Sequence, residues 1–341
     1  MPKTYLPLVS VVVIDYKKSN PYLLECLNAI GKQTYRNFEV ILESDHPLDL
    51  KYPNLKIIDY GGKYKSPSYK RDHGGQIARG EIIAFIDDDA APHPMWLESL
   101  IPHFKDKEVS GVGGPGITPS GVDWREEASG WASASPVGAG SYTYRFLPGK
   151  RRFVDDYPSM NLSVRRSDFL EVGGFDSDYW PGEDTKLCLD LTRKLNKKIV
   201  YEPKAKVFHH RRQIWIPHLR QNGNFGLHRG FFARKLPETS LRPIYFMPSL
   251  MLLGLLFVIA SFVLEPKQSH IYFSSIVLIR KLGLISFVSY FFILFLNAIW
   301  IYRKSRKVFQ ALVSVPAIFI THLWYGARFI QGFLFTAKLT R

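Results

Sequence analysis

The chain has only two cysteines in 341 residues, Cys26 and Cys188. That is too few for a disulfide framework. Each lies in an apolar helical pattern, LLECLNAI and KLCLDLTRKL, so both read as reduced, buried small hydrophobes of a cytoplasmic domain. Acids are also scarce: 30 Asp and Glu face 45 Lys and Arg, leaving a net charge of +15. Such an excess points to an anionic partner, and its placement narrows the choice. From Pro243 onward ten Lys and Arg meet a single acid, Glu265, so most of the excess lies in the last 99 residues. A nucleic-acid-binding profile for the rest of the chain is thereby excluded. Internal repeats and low-complexity tracts are missing, and no secretory leader is expected, because the short β-branched run after MPKTYLPL lacks a small-residue cleavage site.

What replaces charge beyond Arg242 is long apolar sequence. Residues 243–264 (PIYFMPSLMLLGLLFVIASFVL) carry no charge and reach the roughly 20 residues a helix needs to cross the hydrocarbon layer. Residues 283–302 are equally clean apart from Asn297 and run into Arg303-Lys304-Ser305-Arg306-Lys307, which the positive-inside rule places in the cytoplasm. A third stretch, 308–335, contains Pro316, His322, Arg328 and Gln331 and is compatible with crossing, re-entering or lying in the interface. A hairpin of the first two spans keeps the preceding domain on the cytoplasmic face but puts Arg280 and Lys281 on the far side. The organisation expected is a catalytic domain over 1–242, with a basic juxtamembrane stretch at about 211–242, and an all-α membrane region over 243–341.

Within 1–242, residues 8–14 (LVSVVVI), 38–42, 55–58 and 81–86 read as strands. A helix over 21–30, with Asn20 as N-cap, separates the first two. This order predicts an α/β domain with a mostly parallel open sheet, whose ligands bind at the C-terminal strand ends. Residues 111–140, rich in Gly, Ala, Ser and Pro, read as a long mobile loop near that edge.

Two acidic motifs stand out. Asp87-Asp88-Asp89 directly follows the strand IIAFI. Three adjacent carboxylates repel unless a cation neutralises them. Side chains at i and i+2 point the same way, so Asp87 and Asp89 can face one Mg²⁺ or Mn²⁺ while Asp88 turns to the backbone or a basic neighbour. The plainer reading is an acidic cap on the helix after Pro92. The second motif, Pro181-Gly182-Glu183-Asp184, leads into an amphipathic helix over 185–195, where acids complement the macrodipole as a simple cap. The two together open another option, a metal at one and a general base at the other.

Several pieces occur in a familiar order: Val9 to Tyr16, Phe38 to Asp45, Arg71-Asp72-His73-Gly74 with Ala78 to Glu81, the Asp triplet, Gly173-Gly174-Phe175-Asp176, and Glu183-Asp184. Over residues 7–230 the chain resembles the inverting family 2 glycosyltransferases with a GT-A fold. That resemblance implies transfer of a sugar from a nucleotide-sugar donor with a divalent cation as cofactor. It implies nucleotide binding by Tyr16, Asp45, Arg71 and Asp88, and metal binding by Asp87 and Asp89, with His209 or His210 completing the set. Asp184 is implied as the base, with Glu183 beside it, and Trp180, Arg212 and Arg220 as the acceptor or diphosphate loop. The QxxRW motif of processive polysaccharide synthases is absent. The basic, aromatic stretch 211–229 stands in its place and reads equally as a solvated helix or as one that folds over the diphosphate or meets lipid headgroups. The expected partners are a nucleotide sugar, membrane lipids and a lipid-linked or nascent glycan acceptor, with no nucleic acid. Two other readings fit the same residues: synthesis of a polyprenyl-phosphate sugar, and a non-catalytic sugar-nucleotide-binding subunit.

Overall fold

The computed structural model describes residues 5–15, 20–175, 177–263 and 273–339. In chain order the elements are β1 (Val9–Asp15), α1 (Leu23–Gly31), β2 (Phe38–Ser44), β3 (Leu55–Asp59), α2 (Pro67–Ile77), β4 (Ile82–Asp87), β5 (Ala90–Pro92), α3 (Trp96–Leu100), β6 (Val109–Gly113), β7 (Gly116–Ile117), α4 (Trp124–Ala134), α5 (Pro136–Ala139), β8 (Arg152–Val154), β9 (Asn161–Arg165), α6 (Arg166–Val172), α7 (Glu183–Leu189), β10 (Lys198–Tyr201), β11 (Val207–His209), α8 (Ile216–Lys235), α9 (Pro237–Ser240), α10 (Pro243–Val263), α11 (Phe273–Ser305) and α12 (Val308–Ile330). They fall into two compact units. The first comprises Met1–Pro119, Tyr144–His210 and Leu339–Arg341; the second, Ser120–Thr143 and Arg211–Lys338.

The first unit is built on an eight-stranded sheet in the order β3-β2-β1-β4-β9-β6-β10-β8, with a separate three-stranded sheet β5-β11-β7. β3, β2, β1 and β4 run parallel, so Asp15, Ser44, Asp59 and Asp87 end on one edge. Their continuous β-branched runs suit strands covered on both faces. Val9, Val11 and Val13 pack with Cys26, Leu27 and Ile30 of α1. On the other face Phe85 meets Phe169 and Phe175 with ring centroids 5.5 and 5.0 Å away. β9 is antiparallel to both β4 and β6, and β8 to β10. The mostly parallel open sheet expected from the sequence is present.

The glycine-rich stretch 111–140 is not a loop: it forms the end of β6, then β7, α4 and α5. Its glycines answer to packing, since a Cβ on Gly113 would overlap the Tyr157 ring and one on Gly114 the Ala205 carbonyl. The helix expected over 185–195 begins earlier, at Glu183, and continues after Leu189 as a wider π turn to Lys194.

In the second unit three helices are long and apolar enough to cross a membrane: Pro243–Val263, Ser274–Ser305 and Val308–Phe335. Arg280, awkward as a charge beyond the first span, lies over the Phe262 ring at 4.6 Å and donates to the Ser261 carbonyl at the end of α10. The polar groups of α12 also have partners. His322 Nδ1 lies 2.8 Å from Tyr290 Oη of α11, and Gln310 Nε2 donates to Glu127 of α4 at 3.2 Å. Asn297 of α11 accepts from the Val137 amide at 3.1 Å.

The basic stretch forms α8, which is not a solvated helix. Gly223 meets the Trp324 indole, a Cβ on Gly226 would stand 2.5 Å from the Tyr325 carbonyl, and one on Gly230 would overlap that of Phe329. Small residues let helix backbones approach where no hydrophobic force separates lipid from protein. Gly230→Ala is therefore expected to lower the melting temperature of the detergent-solubilised protein, consistent with an overpacking cost of roughly 1–3 kcal/mol. Gly254→Ala, at a glycine with no atom within 4 Å of the new methyl, should be neutral or stabilising. Equal shifts for the two would contradict this seam.

Candidate active site

The edge formed by the C-terminal ends of β1, β2 and β4 gathers most of the acids expected to act. Asp87 ends β4, and its Oδ1 accepts from Arg71 Nη2 at 2.7 Å. The other arm of that guanidinium donates to Glu183 Oε1 at 2.8 Å. Arg71 is thus a buried bridge between the Asp triplet and the Glu183-Asp184 motif. The position expected to serve the nucleotide is committed to two carboxylates.

His209 reaches Asp89 because β5 and β11 pair antiparallel with His209 opposite Ala90, which closes 120 residues of sequence onto one spot. Its Nε2 lies 3.2 Å from Asp89 Oδ1. One ligand atom each from Asp87, Asp89 and His209 lie within 4.8 Å of one another. Two carboxylate oxygens and an imidazole nitrogen suit a divalent cation such as Mn²⁺ or Mg²⁺. His210 turns elsewhere, stacking on Tyr22 at 3.8 Å with Nε2 3.2 Å from Glu25. Of the two histidines, His209 is the one in the group.

Asp88 points inward to Asp15, which also accepts from Ser44 Oγ at 3.0 Å. Burial, reinforced by Asp89, Asp87 and Asp15, pushes the Asp88 carboxyl up to about 8. Asp45, expected to hold the base, is buried against Lys70 Nζ at 2.9 Å and accepts from the Lys65 amide at 3.0 Å. Lys70 also donates to the Asp15 carbonyl at 2.5 Å. Tyr16 lies outside the described residues.

The second acidic motif divides its work. Glu183 is buried and held by Arg71 and the Gly182 amide. Asp184 stays partly exposed, accepting from the Thr185 amide at 2.8 Å. Desolvation first, then Glu183 and Asp156, raise its carboxyl to about 7 against the opposing pull of Arg71. Trp180 precedes this motif across a cis peptide bond to Pro181. Arg212 and Arg220 belong to the helical unit.

Sequence reasoning missed the residues that hold these groups. Lys70 adjoins a motif singled out for Arg71 alone. Asp156 accepts from Thr185 Oγ1 at 3.0 Å and pairs with Arg145 Nη2 at 3.4 Å. Glu43 lies 2.8 Å from His73 Nδ1 and accepts from Tyr60. The Arg71-Asp72-His73-Gly74 run is thereby explained: Arg71 bridges the acids, Asp72 accepts from the Phe175 amide, His73 meets Glu43, and Gly74 admits Val12.

A parallel sheet with acids at its switch edge and a two-carboxylate, one-imidazole group is the architecture of a GT-A transferase. Residues 10–162 match the profile described as Glycosyl transferase family 2, so the chain carries a family 2 glycosyltransferase domain over that stretch. It is 24% identical to the glucosyl-dolichyl phosphate glucuronosyltransferase of Haloferax volcanii over 59% of this chain and 68% of that one. It is 35% identical to the pre-mycofactocin glycosyltransferase of Mycobacterium tuberculosis over 45% of this chain, a match spanning only 32% of that relative. The mannosyltransferase PcManGT of Pyrobaculum calidifontis, solved with GDP-mannose and Mn²⁺, shares the fold: 14% identity, TM-score 0.55, 97% of this chain and 88% of that one.

The raised Asp88 and Asp184 carboxyls make the cation-free protein pH-sensitive. Both bind protons more tightly folded than unfolded, so stability is lost as pH rises from the ordinary carboxylate range through their folded values. The melting temperature without divalent cation should fall between about pH 6 and about pH 8, and Mn²⁺ should raise it more at the higher value. Asp89→Asn should abolish the Mn²⁺ increment; an unchanged increment would remove Asp89 from the ligand set.

Proposed function

We propose that the protein is a multi-pass membrane glycosyltransferase that moves one sugar, with inversion, from a nucleoside-diphosphate sugar to a hydroxyl of a lipid-linked or nascent glycan acceptor. The observation carrying this is the division of the acids into two groups with different tasks. Asp87, Asp89 and His209 converge as ligands, whereas Asp184 stands partly exposed with a raised affinity for protons. The Haloferax relative, whose name describes action on a dolichyl phosphate-linked sugar, and the three apolar helices support a lipid-linked acceptor.

The chain's own residues then have definite parts. Asp87, Asp89 and His209 would hold a divalent cation, which supplies charge neutralisation to a departing diphosphate. Asp184 in its carboxylate form takes the proton of the acceptor hydroxyl as that oxygen forms its bond to the anomeric carbon. The bond from that carbon to the diphosphate breaks on the opposite face, and the electron pair leaves with the phosphate oxygen. No covalent sugar–enzyme bond is needed, so one accessible carboxylate suffices. Glu183 is not a second base, because it is buried and paired with the Arg71 guanidinium. Its part is to fix Arg71 between the two acidic groups. In this reading Asp45 and Arg71 serve the nucleotide end through Lys70 and Asp87, and Trp180, Arg212 and Arg220 serve the acceptor or the diphosphate.

Asp184→Asn should lower kcat by roughly 10²-fold or more with donor affinity unchanged, as expected for loss of a general base. For the wild type, kcat/KM should rise with pH through about 7, since only the deprotonated carboxylate accepts a proton. Full activity of the Asn variant on polyprenyl phosphate, an acceptor already anionic, would overturn the assignment of a hydroxyl acceptor. Undiminished turnover after exhaustive chelation would overturn the role given to Asp87 and Asp89.

A further inference from the structure

The helical unit contains a second polar constellation, formed where the first span begins. Tyr142, at the end of the 120–143 segment, and Tyr245, in the first turn of α10, stack with ring centroids 6.0 Å apart and planes 4° from parallel. Tyr245 Oη donates to Tyr142 Oη at 2.7 Å. Arg242, immediately before the span, brings Nη1 to 3.4 Å from the same Tyr142 oxygen. Arg229 of α8 lies over the Tyr245 ring at 5.0 Å and donates through Nη1 to Ser240 Oγ at 3.2 Å. Arg242 also directs Nη2 to the Glu238 carbonyl at 3.5 Å. All four of Tyr142, Arg229, Arg242 and Tyr245 are partly exposed.

Three separated stretches of chain therefore bring two guanidinium groups to one pair of phenols. A guanidinium carries five N–H donors in a planar fork that matches phosphate oxygens, and a stacked phenol fixes that plane. Pro243 opens the uncharged run, so a span beginning there would put Arg242 at the headgroup level, where the phosphate of a lipid lies. A lone snorkelling arginine would need no such convergence. From these contacts we infer that Arg229 and Arg242, oriented by Tyr142 and Tyr245, bind the phosphate that links the acceptor glycan to its lipid. The inference rests on the lipid-linked reading above and names the part of the acceptor that is recognised: its phosphate ester, not its sugar.

The test separates this site from the chemistry. Full-length protein is titrated with undecaprenyl phosphate in phosphatidylcholine nanodiscs, and in parallel with phosphatidylglycerol at matched mole fraction. Donor binding is followed independently by thermal shift with nucleotide sugars and Mn²⁺. Losing one charge-assisted contact to phosphate weakens binding by roughly tenfold or more. Arg229→Gln and Arg242→Gln should each show that loss for undecaprenyl phosphate, with the nucleotide-sugar shift intact. Tyr245→Phe, which keeps the ring, should show a smaller loss and guards against misfolding of the arginine variants. Wild-type affinity in all three variants would overturn the site. So would an equal loss for phosphatidylglycerol, since the cluster would then be a general headgroup anchor. Because binding is read without turnover, either result leaves the transferase reading standing or falling on Asp184 alone.

Discussion

The first unit is organised around repulsion among carboxylates that the fold itself concentrates. A parallel sheet ends its strands on one side, and here β1 and β4 end in Asp15 and Asp87, with Asp88 and Asp89 directly behind. Removing several such charges from water costs several kcal/mol each unless they are paired or protonated. Three devices meet that cost. Arg71 spans Asp87 and Glu183, Lys70 sits against Asp45 and the Asp15 carbonyl, and burial beside Asp89, Asp87 and Asp15 raises the Asp88 carboxyl toward its neutral form. The Asp87, Asp89 and His209 group then remains as the place where a divalent cation would complete the balance.

In a membrane, which three of its helices are long and apolar enough to cross, the helical unit would face a different constraint, because lipid offers apolar helices no reason to prefer one another. Close approach and polar contacts supply the specificity instead. Gly223, Gly226 and Gly230 bring α8 against α12, and Gly326 brings α12 against the Pro248 carbonyl of α10. His322, Gln310 and Asn297, each unfavourable in hydrocarbon, find Tyr290, Glu127 and the Val137 amide. Lys307 joins Glu127 at 2.7 Å, so part of the Arg303–Lys307 run is tied to α4.

Local sequence made the strands, the acidic motifs and the apolar spans legible, because each depends on neighbours a few residues apart. The β-branched runs of β1, β2 and β4 and the Asp triplet are of this kind. Register between distant strands was not legible. Nothing within Val207–His209 says that it pairs with Ala90–Pro92, yet that pairing alone selects His209 over His210 for Asp89. Composition also misled in 111–140, where glycines that admit Tyr157 and Ala205 resemble the glycines of a loop. The Asp156 contacts with Arg145 and with Thr185, next to Asp184 in sequence, join residues whose local sequence carries no motif.

The segment 120–143 shows why hydropathy alone could not divide this chain. It has no apolar run, and by composition it belongs with the soluble part. Yet Ala128 and Ala132 are buried with Leu294, Ala317 and Ile318, Trp131 meets Trp300 edge-on, and Trp124 meets Phe309. Its polar groups meet those of the apolar helices and their connection: Glu127 takes Lys307 and Gln310, and the Val137 amide donates to Asn297. A span that carries Asn297 and Gln310 is tenable in a bilayer only when these partners are present. The helical unit is thus completed by residues lying between two strands of the catalytic unit, β7 and β8, and its polar chemistry is not encoded in the spans alone.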